Sequence, residues 1–443
     1  MEPRPAAPWQ PDRRWADPLL VLLALLALLV AGTTLRLRRA AARRPAPMAS
    51  LQGRLAETAL EASRLLGSGR AGAMKAELPL KEPWDRALLA VLEAEGGRAT
   101  TPAATWIQAA TPAGPGGQAF QKACLAAHAG APLPSAADRR EVHRRLGGGY
   151  AADLLEARLL DREGGGDPLR ARARAALLGR LGALSLLALV GLGAAAGGLG
   201  FGIYLLSAPR QAPPPPLPSW DLSGRAAALV ALVWFLGFFV AGQVAAALLL
   251  PWPSLRWAAV PLSYGLHAAL GLALVSRAED ASPAELWRRV APGRAGRDLA
   301  WGGAFLCLAV ALVLVVAPLS SLILRPEQSP QRDLQELLRS AAGLGPGLLL
   351  FLTVAGLAPL FEEFLFRGFL LPVLARTGWT KVALVLTSLL FGAIHLQPAG
   401  LPVLATLGFA MGLALRHTGS LRTPLLVHAC WNGSLFLLMR TFA

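Results

Sequence analysis

Long apolar runs separated by short polar or proline-rich breaks dominate this chain, and their length selects helices over strands. Residues 18–35, 181–207, 226–250, 257–276 and 299–324 are each long and apolar enough to cross a hydrocarbon core of about 30 Å. Apolar helical segments at 348–359, 360–376, 382–396, 401–416 and 424–442 follow. The pattern predicts an all-α fold: a polytopic transmembrane helix bundle of eight or nine spans, counting an N-terminal anchor. Between the first and second spans lies a small helical soluble region. Pro213 to Pro216 favour an extended linker, and Pro251-Trp252-Pro253 a tight interfacial turn.

The polar positions divide the chain further. Residues 1–44 read as a membrane anchor with a basic flank, because Arg36, Arg38, Arg39, Arg43 and Arg44 follow the first apolar run. A cleaved signal peptide carries its positive charge before the apolar core, so this order implies an uncleaved anchor with its N-terminus outside. The charge bias then places residues 45–178 in the cytoplasm. That region is mixed in polarity, with apolar residues at helical spacing and glycine or proline breaks at 111–117, 147–149 and 164–168. It holds no nucleotide loop, metal cluster or nucleophile arrangement, and His128 and His143 read as surface or structural residues. Residues 179–340 are transmembrane helices, and 341–443 contain every motif that suggests chemistry.

Composition agrees with the pattern. Of 443 residues, 54% are hydrophobic, and the mean hydropathy is +0.47, which makes this an integral membrane protein. The net charge of +16 does not imply a nucleic-acid partner, because the arginines cluster beside apolar segments, where positive charge marks membrane topology. Counting spans from the Arg36 cluster puts the arginine-rich stretch 277–297 outside, against that rule, so one span is either miscounted or re-entrant and the side of the later loops stays open. Residues 281–298, with Trp287 between arginines, fit either a segment along the headgroups or a solvated loop. The three cysteines, Cys124, Cys307 and Cys430, lack any paired spacing and imply neither disulfides nor structural zinc. Richness in Ala, Arg, Gly and Pro suggests a GC-rich bacterial genome, and hence the bacterial plasma membrane.

Candidate chemistry starts at Glu362, Glu363 and Arg367, three charges within an apolar stretch. Each costs on the order of 2.5–3.5 kcal/mol at bilayer depth, so idle charges are not expected there. Pro359 is expected to end or kink one helix and open the next, leaving both glutamates near a helix N-terminus where the macrodipole favours them. Glu363 and Arg367 share a face at the spacing of an ion pair, while Glu362 points about 100° away. Glu363 thus suits a structural carboxylate and Glu362 a general base. A purely structural pairing of all three charges stays open on this motif alone. Further along, Phe391 and His395 share a helix face, as do His428 and Asn432, all in apolar helices. His267 and His417 lack such company and read as structural or interfacial.

Taken together, EExxxR at Glu362, Glu363 and Arg367, FxxxH at Phe391 and His395, and HxxxN at His428 and Asn432 resemble the CPBP intramembrane proteases. That family includes the type II CAAX prenyl endopeptidases of the Rce1 kind and the bacterial Abi and bacteriocin-processing proteins. The resemblance covers about residues 345–440 and makes 341–443 the catalytic helices, with everything before Arg180 an added extension. It implies an endopeptidase whose Glu362 and His395 hold and activate water, while His428 and Asn432 stabilise the oxyanion. Glu363 and Arg367 would support that site, and Phe391 would pack behind His395. No metal or other cofactor is expected, the alternative being zinc on Glu362, His395 and His428. The implied partners are the lipid bilayer and a membrane-associated protein or peptide substrate. Two competing readings are a non-enzymatic immunity or scaffold protein that retains the family fold, and a transporter using the buried acids and histidines as a proton relay.

Overall fold

A computed structural model describes residues 13–42, 49, 51–65, 82–95, 102–114, 116–207, 214–293, 295–324, 337–338, 341 and 343–442. Sixteen helices and no strand occur among the described residues. The linker expected at Pro213 to Pro216 is described from residue 214 onward, where it is extended and without regular structure. The chain divides into two compact units.

The smaller unit is built from residues 41–189. It contains α2 (Leu51–Leu65), α3 (Pro83–Glu95), α4 (Ala103–Ala110), α5 (Gly117–Ala129), α6 (Ala136–Arg145), α7 (Tyr150–Asp161) and the first part of α8 (Asp167–Ser207). Trp84, Leu88, Leu92, Ile107, Phe120 and Leu155 fill its core, with Trp84 meeting Phe120 edge-on at 5.9 Å. Several polar groups tie its helices together. Glu57 accepts the Ala151 N–H at 2.6 Å and so caps the start of α7, and burial raises its carboxyl above the usual range. Arg158 and Arg162 donate to the carbonyls of Ala127 and Ala126, which close the end of α5. His128 lies 3.3 Å from Glu95, and burial pushes it down to about 4. His143 bonds Asp153 at 2.9 Å.

The larger unit holds the apolar helices. Seven helices are long and apolar enough to cross a membrane: α1 over its stretch Leu19–Arg36, α8, α9 (Gly224–Leu249), α10 (Ala259–Glu279), α12 (Ala295–Ile323), α13 (Leu344–Ala375) and α15 (Leu401–Thr418). Helix α1 itself runs Arg13–Ala42. The apolar α14 (Thr380–Ile394) and α16 (Arg422–Phe442) complete the unit without being counted among those seven, against the eight or nine spans expected. A 3-10 turn, Pro253–Ala258, follows the expected Pro-Trp-Pro break.

Small residues let these helices approach. A methyl on Gly392 would meet Leu401 at 2.9 Å, and one on Gly408 would meet Ser388 Cα at 3.1 Å, so α14 and α15 pack nearly backbone to backbone. Gly412 gives the same close approach to Leu384, and Gly271 of α10 leaves room for Phe361 of α13. Polar locks gather at one end of the unit. Glu279 accepts the N–H groups of Asp221 and Leu222 and pairs with Arg289 at 2.6 Å. Asp298, fully buried, accepts from Ser420 at 2.7 Å and Arg422 at 3.3 Å, tying α12 to the start of α16.

Two expectations need correction. Residues 281–298 are not a simple loop: α11 (Pro283–Val290) forms a short helix with a Ser282–Glu285 capping box, and Asp298 belongs to the first turn of α12. Nor does Pro359 divide two helices. Residues 344–375 are one continuous helix with two π-helical turns, Thr353–Leu357 and Phe364–Leu370, on either side of Ala358–Glu363. The macrodipole of a helix start is therefore not what compensates Glu362 and Glu363, and the neighbouring helices must do so.

Candidate active site

Glu362 and Glu363 occupy the short α-helical stretch between the two π turns, a local change of pitch of the kind often found at functional sites. Glu363 is fully buried. Its Oε1 accepts from Arg367 Nη1 at 2.8 Å and from His428 Nδ1 at 2.8 Å, so a guanidinium and an imidazole share one carboxylate oxygen. Arg367 is as buried as its partner and lies over the Phe391 ring at 4.4 Å, where the face of the aromatic ring attracts the cation. Both partners reach the same buried oxygen, Oε1, and removing either would leave it poorly compensated.

Glu362 has a different environment. Its side chain is slightly exposed, at 13%, and Oε2 lies 3.8 Å from His428 Nε2. That oxygen is buried and makes no hydrogen bond among the described residues. Because Glu363 binds His428 through Nδ1, the working nitrogen of the ring is Nε2, on the Glu362 side. The imidazole thus bridges the two acids, one held close and one at a distance that allows both groups to reach a common oxygen lying off their line.

His395 follows the last residue of α14, and its Nδ1 bonds the Phe391 carbonyl at 2.8 Å. This fixes the ring, with Nε2 as its outward nitrogen. Phe391 stands between the histidines, with ring centroids 5.1 Å from His395 and 5.5 Å from His428. Asn432 is engaged elsewhere, its Nδ2 donating to the Val354 carbonyl at 3.1 Å. Of the residues expected from sequence, Glu362, Glu363, Arg367, Phe391, His395 and His428 form a linked set. Asn432 touches the preceding π turn instead. Among the described residues no group of three or more His, Cys, Asp or Glu side chains is placed to hold a metal ion.

His267 is a packing residue, bonded to the Trp234 carbonyl at 3.0 Å and stacked on that indole at 4.3 Å. His417 packs at 4.3 Å against Trp301. Sequence reasoning missed Trp220, whose Nε1 donates to the Gly368 carbonyl in the second π turn at 2.8 Å. A signal for it existed in Pro372, which has no N–H to offer the carbonyl four residues before it.

Residues 344–434 match the family model of the type II CAAX prenyl endopeptidase Rce1-like proteins. This segment is similar to the Rce1-like family. All of the linked residues above fall inside the matched segment. An uncharacterized 24.3 kDa protein of Escherichia coli is 43% identical over 86 residues, which cover 18% of this chain and 40% of that protein. The match thus spans well under half the length of that relative. No solved structure matches the chain. The Rce1-like segment includes α13, α14, α15 and the first half of α16, so the family match and the buried charge cluster coincide.

Proposed function

We propose that this protein is an intramembrane endopeptidase that hydrolyses a peptide bond of a membrane-associated protein or peptide. The observation that carries the reading is the shared carboxylate: Glu363, held by Arg367, fixes His428 through Nδ1, and Nε2 is left 3.8 Å from Glu362. A purely structural ion cluster has no use for a second, unbonded glutamate on the far side of the same imidazole. The similarity of residues 344–434 to a peptidase family supports the same reading.

In this proposal Glu362 takes a proton from water as the water oxygen attacks the substrate carbonyl carbon. His395, with Nδ1 occupied by a backbone carbonyl, orients that water through Nε2. Negative charge develops on the carbonyl oxygen, and His428 stabilises it through Nε2, the ring being held in orientation by Glu363 at Nδ1. Collapse of the tetrahedral intermediate breaks the C–N bond, and Glu362 returns its proton to the leaving amine. Arg367 and Phe391 hold the two histidines in place without touching the substrate. The composition favours a bacterial plasma membrane, and the arginines flanking α1 favour a cytoplasmic side for residues 45–178.

The test is the membrane peptidome of cells expressing the full chain or its Glu362→Gln variant. Loss of a defined set of cleavage products, with the purified variant retaining its thermal midpoint, is the expected result. Identical products from both chains would refute proteolysis by Glu362.

A further inference from the structure

Both π turns of α13 end against a proline, and each proline deprives a carbonyl of its donor. In the first turn the Ala358 N–H bonds Thr353 O, one residue further back than in an α-helix. Val354 O therefore loses its α partner, and the next residue in the π register is Pro359, which has no N–H. In the second turn the Leu371 N–H bonds Phe366 O. Gly368 O would take the N–H of the residue four positions on, which is Pro372. An orphaned carbonyl in a membrane interior costs several kcal/mol, so each needs a donor from outside the helix. Each has one: Asn432 Nδ2 reaches Val354 O at 3.1 Å, and Trp220 Nε1 reaches Gly368 O at 2.8 Å.

We propose that Asn432 and Trp220 are positioning residues that capture these two carbonyls, hold the π turns, and thereby set the directions in which Glu362 and Glu363 leave the helix. This inference rests on the proteolytic reading above. A π turn carries an extra residue, so losing it rotates all that follows by roughly 100°, the angular step of one residue. With turns on both sides, the stretch carrying the acids is fixed at both ends. Trp220 is itself locked: it is buried, packs edge-on against Phe369 at 5.4 Å, and has the Arg289 guanidinium over its ring at 5.0 Å. Arg289 in turn pairs with Glu279. Asn432 lies four residues beyond His428, so α16 delivers the imidazole to Glu363 and the amide to Val354 from one rigid element.

Restoring the missing backbone donor separates this role from contact with substrate. Asn432→Leu removes the captured hydrogen bond, and Pro359→Ala supplies a backbone N–H in register for the same carbonyl. Trp220→Phe keeps the ring packing and loses the N–H, and Pro372→Ala supplies the donor for Gly368 O. The full chain in detergent is examined by hydrogen exchange of peptides covering residues 353–371, and cleavage products are counted in membranes from expressing cells. Asn432→Leu is expected to speed exchange across the first π turn and to cut product by about 100-fold, the scale of a misplaced catalytic group. Adding Pro359→Ala is expected to bring both readouts back to the level of Pro359→Ala alone, and Pro372→Ala to do the same for Trp220→Phe.

Product loss in Asn432→Leu with unchanged exchange and no rescue would overturn the proposal and make Asn432 a direct contact of the reacting carbonyl. Glu362→Ala run in parallel tests the underlying reading separately. If its products match wild type, proteolysis by this site falls, and exchange with rescue alone decides whether the carbonyls are captured; unchanged exchange in both single variants overturns the capture.

Discussion

Removing the cation from the buried cluster gives the sharpest test of how Glu363 is held. Arg367 and Glu363 are 1% and 0% exposed and joined at 2.8 Å. Arg367→Met keeps much of the side-chain length but leaves the carboxylate with only the His428 imidazole. Loss of one partner from a buried pair costs about 3–5 kcal/mol, because the remaining charge stays desolvated. At about 2–4 °C per kcal/mol for a unit of this size, the thermal midpoint should fall by about 6–20 °C. Adding Glu363→Gln removes the second charge while its amide oxygen still accepts from His428 Nδ1. Replacing both members of a buried pair is neutral to stabilising in comparable cases, so the double variant should recover most of the loss. Tryptophan fluorescence of the purified chain during a thermal ramp reads this directly. The reasoning fails if Arg367→Met melts within about 2 °C of wild type, or if the double variant melts no higher than the single.

Three further outcomes follow from contacts elsewhere. Gly408→Ala places a methyl 3.0 Å from Arg367 Nη2 and 3.1 Å from Ser388 Cα; overpacking of about 1–3 kcal/mol should lower the thermal midpoint and the yield of cleavage product together. Asp298→Ala leaves Ser420 without its buried acceptor and Arg422 without its carboxylate, and faster hydrogen exchange at the start of α16 should report the loosened lock. In the smaller unit burial holds His128 down to about 4. Its unfolded value is near 6.5, so the folded state binds fewer protons between these limits, and the contribution to stability falls as pH drops from about 6.5 to 4. Protection factors of α5 amides, taken relative to intrinsic exchange at each pH, should fall over that window in wild type and follow a flatter profile in His128→Gln, while an identical slope in both would assign the effect to another group.

Much of the site was legible because local spacing carries it. A spacing of four from Glu363 to Arg367 puts them on one face, and the observed bond at 2.8 Å is that pairing. The same spacing left Glu362 without a helical partner, whereas Glu363 Oε1 takes both Arg367 and His428. Phe391 and His395 contact each other for the same reason. By contrast, the direct bond between Glu363 and His428 spans 65 positions in sequence, and no periodicity along α13 or α16 encodes which faces meet.

The amino-acid sequence by itself determined membrane residence, an all-α fold and the separation of a polar helical unit from an apolar one, since run length and period depend only on each segment's own side chains. It also determined that the two glutamates differ. Tertiary structure alone decided that α13 runs unbroken through Pro359, because a proline breaks a helix only if the carbonyl it orphans finds no other donor. Asn432 and Trp220 are those donors, and both come from other elements. Packing against them holds two π turns where a single break, at Pro359, was expected, and so fixes where Glu362 and Glu363 point.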